Sequence, residues 1–202
     1  MNTSAFHKLS YGLFMIAAKE GEKLNGSIIN TVTQITSKPY QISFAMNKSS
    51  YTHDMVLRTK KAVVTVLSEN TAFETFKHFG FQSGRDVDKF KNFPCTTTED
   101  GIPYLTFNSC AYFACTVTQT VDMGSHTLFI AEVTEAEVLD SAQTPVTYAY
   151  YQSNIKPKPQ PEEKQKTGYR CKVCGYVYEG EELPPDFICP LCKHGVDDFE
   201  KI

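Results

Sequence analysis

The sequence predicts a mainly β protein: an antiparallel barrel with a few short helices, followed by a small cysteine-rich domain. Three observations carry this reading. Six runs ahead of residue 140 are rich in Val, Ile, Thr, Phe and Tyr, whereas only two short stretches read as helix. A polar, proline-containing segment then interrupts the apolar pattern. Beyond it, Cys171, Cys174, Cys189 and Cys192 cluster near the C-terminus.

The strand-like runs are Leu9–Ala18, Ser27–Ile35, Gln41–Met46, Ala62–Leu67, Cys110–Val121 and Thr127–Leu139. Turn signals at Glu20-Gly21-Glu22, Asp100-Gly101 and Met123-Gly124 separate several of them. The last two runs flank so short a turn that a hairpin is expected. Helices are expected at His53–Arg58 and Ala72–Phe79, with Thr52 capping the first and Thr71 or Asn70 the second. Many strands and few helices favour an antiparallel barrel over a doubly wound sheet. Neither a G-x-G-x-x-G nor a Walker loop occurs, so no Rossmann dinucleotide site is expected.

The segment Lys156–Lys166, KPKPQPEEKQK, holds three prolines and otherwise only polar and charged residues. It cannot build a core and reads as a semi-extended spacer, reaching roughly 30 Å at about 3.1 Å per residue. The chain therefore divides into a domain over 1–155, a linker over 156–166 and a domain over 167–202. Charge divides too. From Thr167 on there are seven acids and four bases, so the whole formal charge of -3 lies there, and the preceding residues balance at 16 of each sign.

With 202 residues, 41% hydrophobic and 21% charged, the chain suits one globular domain with a small appendage. There is no basic run and no aromatic–basic alternation, so neither nucleic-acid nor membrane-surface binding is expected. The most apolar N-terminal piece, Leu13–Ala18, is too short to cross a bilayer, and a cytoplasmic protein is expected.

Cysteine usage supports that compartment. Cys95, Cys110 and Cys115 are scattered, and the last two sit five apart on one expected strand, hence on opposite faces. The other four form C-x2-C, a gap of 14 residues, and C-x2-C. Two such knuckles place four thiolates around one tetrahedral point, which suits zinc or iron. Spacing alone is equally consistent with a structural zinc ribbon. The surroundings favour iron: Cys174-Gly175-Tyr176-Val177-Tyr178, Cys189-Pro190 and Asp198-Phe199-Glu200 resemble the rubredoxin family. That resemblance implies one iron in four cysteine sulfurs, carrying single electrons. The gap between knuckles is short, as in rubrerythrin modules, and Lys193-His194 stands where a glycine often follows the last cysteine. Tyr176, Phe187 and Phe199 are expected to form the small core.

In the first domain three Ser/Thr/Asn-rich loops, 30–36, 47–52 and 83–88, could cradle a phosphate, though each alone is a weak signal. Together with Asn25-Gly26, the segments Thr31–Pro39, Ser43–Asn47, Lys48–His53, Phe79–Phe90 and Gly124–Phe129 resemble the flavin reductase family, and the resemblance runs through nearly all of residues 8 to 151. It implies a Greek-key FMN-binding split barrel, a homodimer, and hydride transfer from NADH or NADPH. Carried over by position, Thr31, Thr33, Gln34 and Ile35 are candidates to lie along the isoalloxazine and ribityl chain. Asn47, Lys48, Ser50, Thr52 and His53 are candidates for the phosphate, with Arg85 and Lys89 adding positive charge. His126 resembles a histidine near the nicotinamide pocket, against the plain alternative of a satisfied strand histidine.

The two halves make chemical sense together. Hydride delivers two electrons at once, a thiolate-held iron takes one, and a flavin can do both. A tether raises the local concentration of the iron domain to roughly millimolar. The expected function is electron transfer from NAD(P)H through FMN to iron and on to a redox partner. A similar fusion feeds flavodiiron proteins that reduce oxygen or nitric oxide, so such a protein is the expected acceptor. One alternative is a flavin reductase that supplies reduced flavin to a monooxygenase, with a structural zinc tail. Another is a non-enzymatic flavin- and metal-binding regulator.

Overall fold

The computed structural model describes residues 1–157 and 168–202. The chain divides into two compact units after Pro157. Of the spacer expected over 156–166, residues 158–166 lie outside the described residues. Among the described residues no helix is long and apolar enough to cross a membrane.

In chain order the first unit contains β1 (Phe14–Glu20), β2 (Lys23–Ile29), β3 (Thr33–Ser37), β4 (Tyr40–Asn47), α1 (Tyr51–Thr59), β5 (Lys61–Leu67) and α2 (Phe73–Gly80). There follow β6 (Thr96–Thr97), β7 (Pro103–Tyr104), β8 (Ser109–Asp122), β9 (His126–Val138) and a short helix α3 (Tyr148–Tyr150). Seven strands form one antiparallel sheet in the order β2-β1-β5-β8-β9-β4-β3, and β6 and β7 pair separately. The expected hairpin of the two long strands is present. β8 and β9 pair from Asp122↔Thr127 onward, with Gly124 in the turn at φ +78, a value that favours glycine.

Alternate residues of each strand feed two cores. Ile16 and Ala18 of β1, Phe44 and Met46 of β4 and Phe129 of β9 pack in one cluster with Met55 and Val56 of α1. Met15 and Ala17 point the other way, joining Phe76, Phe79, Leu105 and Tyr112 in the second. Both faces of the central strands are buried, which is why they read as near-continuous apolar runs. Phe44 and Phe129 stack at 5.3 Å, and each is fully buried. Burying one such ring contributes about 2–3 kcal/mol. Cys115 joins the first cluster, and burial pushes its thiol up to about 12.

Three local expectations differ from the structure. The run Ser27–Ile35 is two strands, because the chain leaves the β1 edge at Ile29 and joins β4 from Thr33. Thr31 makes that corner: its hydroxyl donates to the Ala45 carbonyl and accepts from the Ala45 N–H, both at 2.9 Å. The first run starts as a strand only at Phe14, although the Leu13 N–H bonds the Val146 carbonyl at 3.1 Å. The helix caps are the third. α1 starts at Tyr51 behind Ser50, and α2 at Phe73 behind Ala72, and neither cap residue bonds through its side chain. Thr52 lies inside α1, where its hydroxyl accepts from Asn25 Nδ2 at 2.9 Å. Thr71 donates to the Asn108 carbonyl instead of capping α2, and Asn70 donates to Gln143. A buried hydroxyl takes whichever partner tertiary packing supplies.

The second unit is a three-stranded sheet in the order β11-β10-β12, with β10 at Tyr169–Cys171, β11 at Val177–Tyr178 and β12 at Phe199–Lys201. Its aromatic cluster centres on Phe187, which meets Tyr178 at 4.8 Å, Phe199 at 5.5 Å and Tyr176 at 6.4 Å. Tyr178 is the member that the sequence reading did not include.

Candidate functional site

The four terminal cysteines converge. All four Sγ atoms lie within 4.8 Å of one another, with Cys171–Cys192 at 3.6 Å and Cys174–Cys189 at 3.5 Å. Thiolates held about 2.3 Å from one tetrahedral ion would sit roughly 3.8 Å apart, so the donor set fits such an ion. Each knuckle is closed the same way. The Cys171 N–H bonds the Tyr176 carbonyl and the Gly175 N–H bonds the Cys171 carbonyl; Cys189 with His194, and Lys193 with Cys189, repeat the pattern. The fifth position of each knuckle, just after its second cysteine, is left-handed in both, at φ +76 for Gly175 and φ +64 for Lys193.

This winding aims backbone N–H groups at sulfur. The Tyr176 N–H reaches Cys174, the His194 N–H reaches Cys192, and those of Cys192 and Leu191 reach Cys189. Burial opposes ionisation of Cys189, but these N–H groups and the adjoining thiols outweigh it and bring the thiol down to about 6. A thiolate is the form a metal binds. Val173, Ile188 and Leu191, each adjoining one of the four cysteines in sequence, are exposed apolar side chains.

In the first unit the structure gathers most of the phosphate candidates at one end of β4. Asn47 Oδ1 accepts from the N–H and the hydroxyl of Ser49, both at 2.8 Å, shaping the turn into α1. Lys48 Nζ pairs with Asp122 at 2.7 Å. Arg85 crosses from the 83–88 loop, donating to the Ser49 carbonyl at 2.9 Å and to Asp54 Oδ2 at 2.6 Å. Its guanidinium lies 5.2 Å from the Tyr51 ring, which Lys23 also approaches at 4.5 Å. Ser50 precedes α1 without capping it. An uncapped helix start with cations beside it suits an anion, so these residues fit a phosphate.

Thr52 and His53 belong to the same cluster but lie underneath it, 0% and 4% exposed. His53 Nδ1 is 3.0 Å from Asp54 Oδ1 and Nε2 is 2.9 Å from Thr127 Oγ1, so both ring nitrogens are engaged by protein. His126 pairs with Asn47 across the β4–β9 ladder, its Nδ1 2.9 Å from Ser125 Oγ. Thr33, Gln34 and Ile35 are exposed on β3, whose register shifts between Gln34 and Thr36. Thr33 and Gln34 line a groove of about 400 Å³ with Phe14, Tyr40, Phe113 and Val133.

Lys89 is not brought to the cluster. Its Nζ is buried and donates to the carbonyls of Gly26 and Phe79, both at 2.8 Å, and burial lowers its pKa to about 8. An ammonium committed to two main-chain acceptors is a brace between β2 and α2. Asn25, Asp54 and Thr127 are residues that the sequence reading did not assign. Only their partners in the fold mark them, because Asn-Gly and Thr in strand runs carry no distinct signal.

Comparison with known proteins follows the same two-part division. Residues 6–158 match the family model described as flavin reductase like domain, and residues 169–200 match rubrerythrin, rubredoxin-like domain. The chain is 39% identical, over the full length of both, to the high molecular weight rubredoxin of Moorella thermoacetica. It is 38% identical to the ferric-chelate reductase (NAD(P)H) of Archaeoglobus fulgidus, covering 75% of this chain and 89% of that protein. Among solved structures, the NADH:FAD oxidoreductase of Streptomyces globisporus superposes with a TM-score of 0.64 at 20% identity, over 72% of this chain and 85% of that one. That last similarity concerns the fold.

Proposed function

The chain belongs to the flavin reductase-like family and carries a rubredoxin-like C-terminal domain, and from that premise we propose that it is an NAD(P)H-dependent oxidoreductase for flavin-linked electron transfer. Electrons pass from NADH or NADPH through FMN to one iron in four cysteines, and on to a redox partner. A flavodiiron oxygen or nitric oxide reductase is the acceptor of choice. The domains over 1–155 and 167–202 then act as donor and relay, joined by the 156–166 linker. The observation that carries this reading is the convergence of four Sγ atoms in a chain whose other unit is flavin reductase-like.

Bound FMN would supply the exchange between a two-electron donor and single electrons, and a thiolate-held iron would take those electrons one at a time. The protein's own part is placement. Asn47, Ser50 and the first turn of α1 would hold the phosphate, with Lys48 and Arg85 neutralising charge around it. Thr31, Thr33, Gln34 and Ile35 would flank the ring along the β3–β4 edge, and His126 would face the nicotinamide side. Backbone N–H groups around Cys174, Cys189 and Cys192 favour thiolates and so set the affinity and potential of the metal. Exposed Ile35 and Tyr40 beside the apolar groove support a homodimer, in which a second copy covers that edge. Reduced, metal-type cysteine usage supports a cytoplasmic location.

Anaerobic titration of the full chain, with its native metal verified, tests the proposal by visible spectroscopy. Added NADH or NADPH should bleach both the flavin band and a ferric-thiolate band. Native protein carrying only zinc would shift the reading to a flavin reductase with a structural tail. An iron band that stays oxidised beside reduced flavin would overturn direct transfer.

A further inference from the structure

Four side chains beneath the phosphate candidates make a connected support. Asn25 of β2 donates through Nδ2 to Thr52 Oγ1 at 2.9 Å. His53, the next residue of α1, joins Asp54 through one ring nitrogen and Thr127 of β9 through the other. Asn25, Thr52, His53 and Thr127 are 0%, 0%, 4% and 6% exposed, so all four lie beneath the surface on which a ligand would sit.

The support closes on itself through the loop that carries Arg85. A Cβ placed on Gly84 would lie 2.1 Å from Asn25 Oδ1, so that loop rests directly on the asparagine amide. Arg85 then reaches over the top to the Ser49 carbonyl and to the same Asp54 carboxylate that holds His53. The first turn of α1 is thereby pinned from below by two strands and from above by one cation. Burial makes these bonds costly to break, because an unpartnered donor or acceptor there has no water to turn to.

We infer that Asn25, Thr52, His53 and Thr127 are positioning residues: they fix the uncapped start of α1 where it can hold the flavin phosphate, and none of them touches the ligand. This rests on reading residues 47–54 as the phosphate end. It reassigns Thr52 and His53 from contact to support, and adds Asn25 and Thr127 to the machinery.

The test compares two ligands on the full-length chain stripped of flavin: FMN, and riboflavin, which lacks the phosphate. Thr127→Val removes the hydroxyl with little change of shape, while Thr127→Ser retains it. Quenching of flavin fluorescence should show Thr127→Val binding FMN about tenfold more weakly, the loss expected for one buried hydrogen bond. Riboflavin affinity should stay within about twofold, and Thr127→Ser should recover FMN affinity. Asn25→Ser, read the same way, should also lose FMN and spare riboflavin. Equal losses for both ligands, or a Ser variant no better than Val, would mean a merely structural role and overturn the inference. Unaltered protein that does not prefer FMN to riboflavin would instead overturn the phosphate reading beneath it.

Discussion

The four-cysteine centre and the proposed anion-binding end of the barrel are assembled in opposite ways. Four sulfurs come from two knuckles, 171–174 and 189–192, each wound by its own backbone bonds. The anion cluster draws on β2, β4, the start of α1, the 83–88 loop and β9, so Asn25 and Thr127 are a hundred residues apart in the chain. The first site depends on spacing and on two left-handed positions. The second depends on the whole sheet being in register. Local sites announce themselves in sequence; distributed ones are statements about tertiary packing.

Removing a ligand from the local site should have the largest effect and the narrowest reach. Cys174→Ser should abolish the ferric-thiolate band and unfold the small unit, since metal binding there is also folding free energy. Flavin affinity should be unchanged within about twofold, a window smaller than one hydrogen bond's worth. If flavin affinity collapses too, the two sites are energetically one and the contrast breaks. Chelation of the metal from unaltered protein should reproduce the same split.

Next in size is damage to the sheet. Phe129→Ala removes a fully buried ring stacked on Phe44 and edge-on to His53 at 5.5 Å. It should cost the large unit about 3–5 kcal/mol in denaturant unfolding. FMN binding should weaken with it, while the iron spectrum stays as it was. A full loss of stability with untouched FMN affinity would show that the anion cluster is less dependent on the core than its contacts imply.

The smallest effect sharpens the comparison within the metal unit itself. Gly175 and Lys193 hold matching left-handed positions, but only glycine adopts that backbone without a Cβ penalty. Lys193→Gly should stabilise the metal-loaded small unit by about 1 kcal/mol, read from its melting transition. An unchanged or lowered transition would indicate that the lysine side chain makes a compensating contact.

Much of the architecture was legible from residues alone. β-Branched and aromatic runs marked the strands, Met123-Gly124 marked the hairpin turn, and proline with charge marked the end of the first unit. The corner at Thr31 was not legible, because Ser27–Ile35 has strand character throughout and only the geometry of two sheet edges breaks it. Lys89 reads as a surface cation until α2 and β2 close over it. His53 and Thr52 read as ligands because their chemistry suits a phosphate, and only the fold shows that both are buried.

The sequence by itself determined the two-part plan, the strand content and the four metal ligands. Composition, periodicity and cysteine spacing act over a few residues and need no partner from elsewhere. Tertiary structure alone decided which polar groups face outward and which brace from within. That choice depends on what packs above each side chain, and strands brought together from distant parts of the chain supply it.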